Sequence, residues 1–377
     1  MHVGVHRLSM AHPGDVSALR ALVESGGIDP AAIVATIGKT EGNGGANDFT
    51  RAFATSSFAQ YLSTVRGQTP QEVEEQVAFV WSGGCEGVLS PHVTVFTRED
   101  SAPETPDGTK RLAISVQRTR DLAPEEIGRV ATVHEVAEAV GRALAELRCE
   151  PEDVHYVQVK GPLLTPASIA AAHARDVRVV TTDPNRSKAY ARGATALGVA
   201  LALKEVPAEA VTDEVIANDM TLYSAVASTS AGGELVAAEV VVLANSVRSS
   251  SEFRIGHGVL CDAIDVAGVR SALREAGLEF DCEPDDSARG RIAAVFAKAE
   301  APVGGALRGQ RTTMLSDADI NYERHSRAAV GAIIASQTGD PRIFVSGGTE
   351  HQTPPGQAPI AAIVAVRPDS AEWERQS

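Results

Sequence analysis

The sequence predicts an α/β protein built from three structurally similar α/β units, each a four-stranded sheet with two helices, around a pseudo-threefold axis. A phrase of one serine, two glycines, one further residue and a glutamate occurs as WSGGCEG at 81–87 and VSGGTEH at 345–351, with a weaker copy, STSAGGE, at 228–234. Each copy follows the same order of elements: strand, helix, strand with lysine, helix with arginine, strand with serine, strand. Aromatic residues are only 4% of the chain, which favours tightly packed α/β layers over an aromatic-rich sandwich.

The first unit is predicted over residues 1–103. Its apolar runs have strand length, and its helices show apolar residues at helical spacing. The elements in order are the strand HVGVHRL, the helix DVSALRALVESG, the strand AAIVATIGK ending at Lys39, the helix NDFTRAFATSSFAQYLSTV with Asp48 as a candidate cap, the strand QVAFVWSGG with Ser82, and the strand HVTVFTR.

The second and third units are predicted over residues 110–247 and 252–377. The second runs through RLAISVQRTR, the helix EEIGRVATVHEVAEAVGRALAEL, VHYVQVK ending at Lys160, the helix SKAYARGATALGVALAL, LYSAVASTSAGG with Ser230, and ELVAAEVVVLANS. The third runs through EFRIGHGVL, the helix DAIDVAGVRSALREAGL, IAAVFAK ending at Lys298, the helix HSRAAVGAIIASQ, PRIFVSGG with Ser346, and PIAAIVAVRP. Polar, glycine- or serine-rich linkers at 98–110 and 246–252 separate the units.

Composition narrows the class of protein. Over 377 residues, 44% are hydrophobic and 22% are charged, which is typical of a globular protein. The formal net charge of −15 argues against nucleic acid or an anionic membrane as a partner. No apolar stretch has the length of a membrane helix or signal peptide, and the four cysteines are widely spread. We therefore expect a cytoplasmic protein with reduced thiols.

The repeated lysines and serines predict nucleophilic catalysis, with a lysine as base and a serine as nucleophile. A lysine at the end of a buried strand loses hydration, which lowers its pKa and makes the neutral amine available as a base. A serine on a glycine-flanked turn is open to an incoming carbonyl, and the turn amides can hold an oxyanion. A single pair of this kind is most often a solvated strand end and an ordinary turn. By symmetry, the residues alone leave the three pairs equal candidates for catalysis.

Arginines follow each lysine strand on the next helix. They are Arg51, Arg192 and either Arg324 or Arg327. Three guanidinium forks and three small-residue turns around one axis suit a small ring with three carbonyls. The alternative is that these arginines form salt bridges on outer helix faces.

Long motifs resemble those of the cyanuric acid hydrolase and barbiturase family. They are IGKTEGNGGANDFTR, FVWSGGCEGVLSPHVTVF, VQVKGPLLTPA, TMLSDADIN, SRAAVGAIIAS and VSGGTEHQTPPGQAP, and they span the whole chain in order. The resemblance implies a hydrolase acting on C–N bonds of cyclic amides, with no catalytic cofactor. It implies three α/β units around a central active site, a small cyclic ureide as substrate, and a homo-oligomer, commonly a tetramer.

The resemblance also implies roles for individual residues. Lys160 and Ser230 would be the catalytic pair, with Lys39 and Lys298 in support. Substrate contacts would come from Arg51, Ser82, Gly83, Arg192, Ser230, Ala231, Arg327, Ser346 and Gly347. A structural Mg²⁺ or Ca²⁺ would be held by Glu300, Thr349, Gln352, Thr353, Pro354 and Gln357.

The function predicted from the resemblance is cyanuric acid amidohydrolase. Such an enzyme opens the s-triazine ring to carboxybiuret, which loses CO2 to give biuret. Barbiturase, which opens barbituric acid to ureidomalonate, is the alternative within the family. A non-catalytic protein that binds small metabolites is the alternative from another class.

Overall fold

A computed structural model of the chain describes residues 1–45, 47–101 and 108–366. It confirms the predicted α/β class, with a four-stranded sheet and helices formed by each third of the chain. Among the described residues, no helix is both long and apolar enough to span a membrane.

The first sheet has the spatial order β1-β4-β2-β3. Strands β2 and β3 are parallel, whereas β4 is antiparallel to both β1 and β2. Strand β2 is buried along nearly all its length, as expected for a central strand. The elements are β1 (His2–Ser9), α1 (Ser17–Glu24), β2 (Ile33–Thr40), α2 (Thr50–Arg66), α3 (Pro70–Gln76), β3 (Ala78–Gly83) and β4 (His92–Glu99).

The second sheet repeats this topology as β5-β8-β6-β7, again with one parallel pair, β6 and β7. Every residue of its central strand β6 is buried. The elements are β5 (Arg111–Arg118), α4 (Val130–Leu147), β6 (Val154–Pro162), α5 (Pro166–Ala174), α6 (Pro184–Ala202), β7 (Ala227–Gly232) and β8 (Glu239–Ser246).

The third sheet has the order β9-β14-β10-β13, so the same arrangement occurs a third time. The elements are β9 (Phe253–Leu260), α7 (Val266–Glu275), α8 (Asp286–Gly290), β10 (Ile292–Ala299), the hairpin β11 (Ala306–Leu307) and β12 (Gln310–Arg311), α9 (Tyr322–Thr338), β13 (Phe344–Gly347) and β14 (Ala358–Ala365). Three equal topologies confirm the internal repeat.

The structure departs from the sequence prediction in its helices. Each unit has a third short helix, and the side chains of Thr69, Thr165 and Asp285 cap these helices by accepting from backbone amides. The predicted cap Asp48 is wrong, because Phe49 occupies the cap position of α2. Asp48 instead accepts a hydrogen bond from the Thr50 amide at 3.0 Å.

The unit boundaries stay predictions. Residues 102–107, inside the predicted linker 98–110, lie outside the described residues, as do residues 367–377 at the end of the third unit.

One hydrophobic core joins the three sheets. It contains apolar residues of all three units, including Val3, Val241 and Phe296. The Phe296 ring lies 6.2 Å from Phe96 of the first unit and 5.1 Å from Tyr156 of the second, measured between centroids. Because this core is shared, the three units hold fixed positions relative to one another, and their equivalent strand ends meet in the middle of the molecule.

Candidate active site

The three predicted lysine–serine pairs lie in identical register. Lys39 is the direct Cα partner of Ser82 on the parallel strands β2 and β3. Lys160 faces Ser230 on β6 and β7 in the same way, and Lys298 faces Ser346 on β10 and β13. Directly opposite residues on neighbouring strands project to the same face of a sheet. Each sheet therefore presents one amine and one hydroxyl side by side at the end of its parallel pair.

A central cavity gathers residues of all three units. It contains every residue that was predicted to contact the substrate, together with Lys160. Arg327 lines this cavity and is 4% exposed, whereas the alternative Arg324 has a side chain that is 49% exposed. The lining residues are Gly44, Gly45, Arg51, Trp81, Ser82, Gly83, Lys160, Lys188, Arg192, Ser230, Ala231, Glu323, Arg327, Ser346 and Gly347.

Two of the three lysines are fixed by backbone carbonyls of a neighbouring unit. Lys39 Nζ donates to the Val345 carbonyl at 2.6 Å and to Ser82 Oγ at 3.2 Å. Lys298 Nζ donates to the Thr229 carbonyl at 2.8 Å and to the Gly347 carbonyl at 2.9 Å. Burial lowers the pKa of Lys39 to about 8 and that of Lys298 to about 7. Both amines are thus held in one place behind the cavity wall.

Lys160 has different surroundings. Its Nζ lies 3.2 Å from Glu234 Oε1, and among the described residues no backbone carbonyl accepts a hydrogen bond from it. Burial lowers the pKa of Lys160, with Arg51 adding to the effect and Glu234 opposing it. The Ser230 hydroxyl is buried and has no hydrogen-bond partner in the part of the chain that the structure describes. This pair alone combines a cavity-facing amine with an unengaged hydroxyl.

The arginines form ion pairs across unit boundaries. Arg192 of the second unit makes a two-pronged pair with Glu350 of the third, with N···O distances of 2.7 and 2.6 Å. Arg327 of the third unit pairs in the same way with Glu86 of the first, at 2.9 and 2.6 Å. The alternative that the arginines lie on outer helix faces is wrong for these two, since Arg327 is buried, the Arg192 side chain is only 11% exposed, and both line the central cavity.

The third arginine–glutamate pair joins the first unit to the second, and its atoms lie farther apart than those of the other two pairs. Arg51 Nε of the first unit lies 3.9 Å from Glu234 Oε1 of the second, and Arg51 Nη2 donates to the Gly45 carbonyl at 3.1 Å. Burial opposes the charge of Glu234, but Lys160 and Arg51 outweigh it and lower the pKa of the carboxyl. Glu234 therefore serves both the lysine of its own unit and the arginine of the preceding one.

The glutamates are functional residues that the sequence reasoning missed. Glu86, Glu234 and Glu350 each stand four residues after a repeated serine. The sequence did contain a signal for these glutamates, because one occurs in every copy of the repeated motif. The arginine with which each glutamate pairs lies on another unit and could not be predicted from the sequence.

Glycine in the phrase makes room for these ion pairs. Gly348 has φ +79°, and a Cβ at this position would lie 2.4 Å from the Arg192 guanidinium carbon. Gly84 has φ +96° and would meet Glu86 Oε1 at 2.2 Å. A side chain at either position would be strained in its backbone and would push the arginine–glutamate pair apart.

The residues predicted to hold a structural cation come together around one loop. Thr349 Oγ1 donates to Glu300 Oε2 at 2.8 Å, and Thr353 Oγ1 donates to the Gln357 carbonyl at 2.8 Å. Gln352 is not free to ligate through its side chain, because its Oε1 accepts from the Thr229 amide at 2.8 Å. Pro354 lies in the same loop, where its carbonyl accepts from the Gln357 amide.

The donor set of this loop fits a hard cation. Burial raises the pKa of Glu300, so its carboxylate gains from a positive charge nearby. Among the described residues, no group of three or more His, Cys, Asp or Glu side chains could hold a metal ion. A cation here would therefore be bound by Glu300 and mostly by backbone oxygens, which Ca²⁺ and Mg²⁺ accept.

Comparisons with known proteins point to one family. The family model described as amidohydrolase ring-opening protein matches residues 4–365. A cyclic amide hydrolase from Azorhizobium caulinodans is 64% identical over 365 residues, which cover 97% of this chain and 100% of that protein. A cyanuric acid amidohydrolase from Pseudomonas sp. strain ADP is 50% identical, covering 96% of this chain and 99% of that protein.

Solved structures agree with the sequence comparisons. One cyanuric acid hydrolase matches with a TM-score of 0.90 at 49% identity, over 97% of this chain and 99% of that chain. A second, from Azorhizobium caulinodans, matches with a TM-score of 0.87 at 45% identity, over the same shares of the two chains. Sequence and fold are thus alike along nearly the whole length.

Proposed function

The chain belongs to the family of ring-opening amidohydrolases, and on that premise we propose that it is a cyanuric acid amidohydrolase. Membership in this family makes the chain a hydrolase of cyclic amides, so the non-catalytic binding protein that the residues left open is not retained. The finer proposal concerns the substrate and the residues that act on it.

The asymmetry of the three lysines carries the assignment of the catalytic pair. Backbone carbonyls hold the amines of Lys39 and Lys298, and neither of these two lysines is among the residues that line the central cavity. Lys160 lines the cavity, its pKa is lowered, and its strand partner Ser230 carries an unengaged hydroxyl. This supports Lys160 as base and Ser230 as nucleophile.

The proposed reaction has two halves. Neutral Lys160 takes the Ser230 proton as Oγ bonds to a ring carbonyl carbon, and amides of the turn after Ser230 hold the oxyanion. When the C–N bond breaks, Lys160 returns the proton to the leaving ring nitrogen. Water then adds to the acyl-enzyme with Lys160 again as base, and Ser230 leaves with the proton. The product is carboxybiuret, which loses CO2 to give biuret.

The remaining symmetry-related groups suit the other two sides of a ring with three carbonyls. Ser82 and Ser346 lie at the equivalent strand ends, and Arg192 and Arg327 are held in place by their glutamates. A fixed guanidinium loses little freedom when it binds a planar substrate. A cation at Glu300 would neutralise a partly buried carboxylate and stabilise the loop that follows Ser346, with no part in the reaction.

Variants of the serines test the proposed nucleophile. We expect Ser230→Ala to lower kcat by about 10⁴-fold or more. The matched variants Ser82→Ala and Ser346→Ala keep the proposed nucleophile and lose a substrate contact, and Ser82→Ala also loses the hydrogen bond from Lys39, so KM should rise about tenfold for each. A Ser230→Ala enzyme with substantial turnover would refute the assignment, as would an equal loss of kcat in all three variants.

Barbituric acid is the second candidate substrate. The relative that is 64% identical is named only as a cyclic amide hydrolase, which leaves room for a ring other than cyanuric acid. The two rings differ by one methylene in place of one N–H, a change that one contact can discriminate. Release of biuret and of ureidomalonate should be measured from equal concentrations of the two substrates. Higher kcat/KM for barbituric acid would replace cyanuric acid in the proposal.

A further inference from the structure

A second cavity lies behind Lys160. It is formed between α2, α3 and β3 of the first unit and β5, β6, β8 and the loop before β8 of the second. Lys160 and Trp81 line both this cavity and the central one. Its rim includes the exposed residues Ser56, Glu74 and Val236, so the cavity reaches the protein surface. The amine of Lys160 thus has a route to solvent that bypasses the substrate side.

Glu239 is a titratable residue in the wall of the second cavity. It is the direct Cα partner of Lys160 on the antiparallel strands β6 and β8, so both side chains project to the same face. Both also line the second cavity. In the first unit the equivalent partner of Lys39 is His92, which is buried and bonded to the Ser90 carbonyl. The carboxyl beside Lys160 is therefore a feature of the second unit that its first-unit counterpart lacks.

The surroundings of Glu239 suit reversible protonation. Burial raises the pKa of its carboxyl to about 7, against the opposing effect of Lys160 and Arg118. The other carboxyls that face it are Glu234 and Glu74, and both raise the pKa. Its Oε2 atom is buried and has no hydrogen-bond partner within the described residues. Such a carboxyl can accept and release a proton without first breaking a hydrogen bond.

We propose that Glu239 relays protons between the Lys160 amine and solvent in the second cavity. This inference rests on the proposed function. Hydrolysis of a ring amide gives an acid of carboxylic strength, which is ionised at neutral pH, so each turnover releases one proton. The product occupies the central cavity at that moment. Before CO2 is lost, the new carboxyl of the product gives its proton to the Lys160 amine, which deacylation has left neutral. Water in the second cavity carries this proton from the Lys160 ammonium to the Glu239 carboxylate, and Glu239 then gives it to water at the rim of the cavity.

Glu239→Gln tests the relay, because it keeps the shape of the side chain and removes the titration. We expect kcat to fall by about tenfold or more with KM unchanged, and the solvent deuterium isotope effect on kcat to increase. Imidazole added as a small proton carrier should restore kcat with increasing concentration. The control Glu138→Gln, on the exposed face of α4 and outside both cavities, should leave all three quantities unchanged.

A second variant keeps the test independent of the folding of Glu239→Gln. Ser56→Phe places a ring at the exposed rim and should also lower kcat and raise the isotope effect, with KM unchanged. Wild-type kcat and isotope effect in both variants would overturn the relay, as would a change in KM alone. If Lys160→Ala or Ser230→Ala keeps its turnover, the proposed function itself fails, so the two failures are distinguishable.

Discussion

Removal of the Glu234 carboxylate should change the pH dependence of catalysis in a defined direction. Glu234 Oε1 lies 3.2 Å from Lys160 Nζ and favours the charged ammonium, although burial keeps the lysine pKa below its usual value. In Glu234→Gln the ammonium loses this counter-charge, so its pKa falls further. The neutral base then persists to lower pH. The acid limb of the kcat profile should therefore move to lower pH.

The size of the shift follows from the geometry. An opposite charge within ~4–6 Å typically changes a pKa by about 1–3 units. The Glu234 side chain is 36% exposed, so solvent screens part of the interaction. We therefore expect the low end, about one unit, which corresponds to about 1.4 kcal/mol. Steady-state kcat at saturating substrate, measured across pH for wild type and variant, provides the comparison.

The other repeated glutamates are matched controls. Glu86→Gln and Glu350→Gln remove the equivalent carboxylate beside Lys39 and Lys298. They should raise KM, because Arg327 and Arg192 lose the carboxylates that hold them in place. The acid limb of the pH profile should not move, because it reflects the protonation of Lys160. Substrate ionisation is common to all the enzymes and cancels in the comparison. An unmoved limb in Glu234→Gln, or an equal shift in a control, would refute Lys160 as the base.

Three further predictions concern stability. Lys298→Met leaves the carbonyls of Thr229 and Gly347 without their donor, so the free energy of unfolding in urea should fall by about 1–3 kcal/mol; an unchanged value would contradict this. Burial lowers the pKa of His92 to about 3, so its contribution to stability is present above pH 6.5 and is lost towards pH 3 by up to about 1.4 kcal/mol per pH unit. His92→Leu should flatten that slope in urea titrations, and an unaltered slope would be inconsistent with it. Chelator-treated protein should gain Tm when Ca²⁺ or Mg²⁺ is added, with a smaller gain in Glu300→Gln; equal Tm values with and without the ions would exclude the cation.

Much of the fold was predictable because its signals are local and occur three times. Strand and helix periodicity located the main elements, and the repeated lysine and serine marked the ends of the parallel pairs. The short helices α3, α5 and α8 were not predicted, because they depend on single capping side chains within loops. The oligomeric state and the cellular location remain predictions from the sequence.

The lysines and serines that lie around the centre of the molecule could be predicted from the sequence, since parallel strands that end in the same residue types bring those side chains to one edge of each sheet. The sequence by itself did not determine how the three copies differ. Only the tertiary structure pairs each arginine with a glutamate of another unit, fixes Lys39 and Lys298 to carbonyls far away in the chain, and opens a second cavity beside Lys160. The physical reason is that these contacts join distant segments, so equal motifs acquire unequal surroundings only when the chain packs.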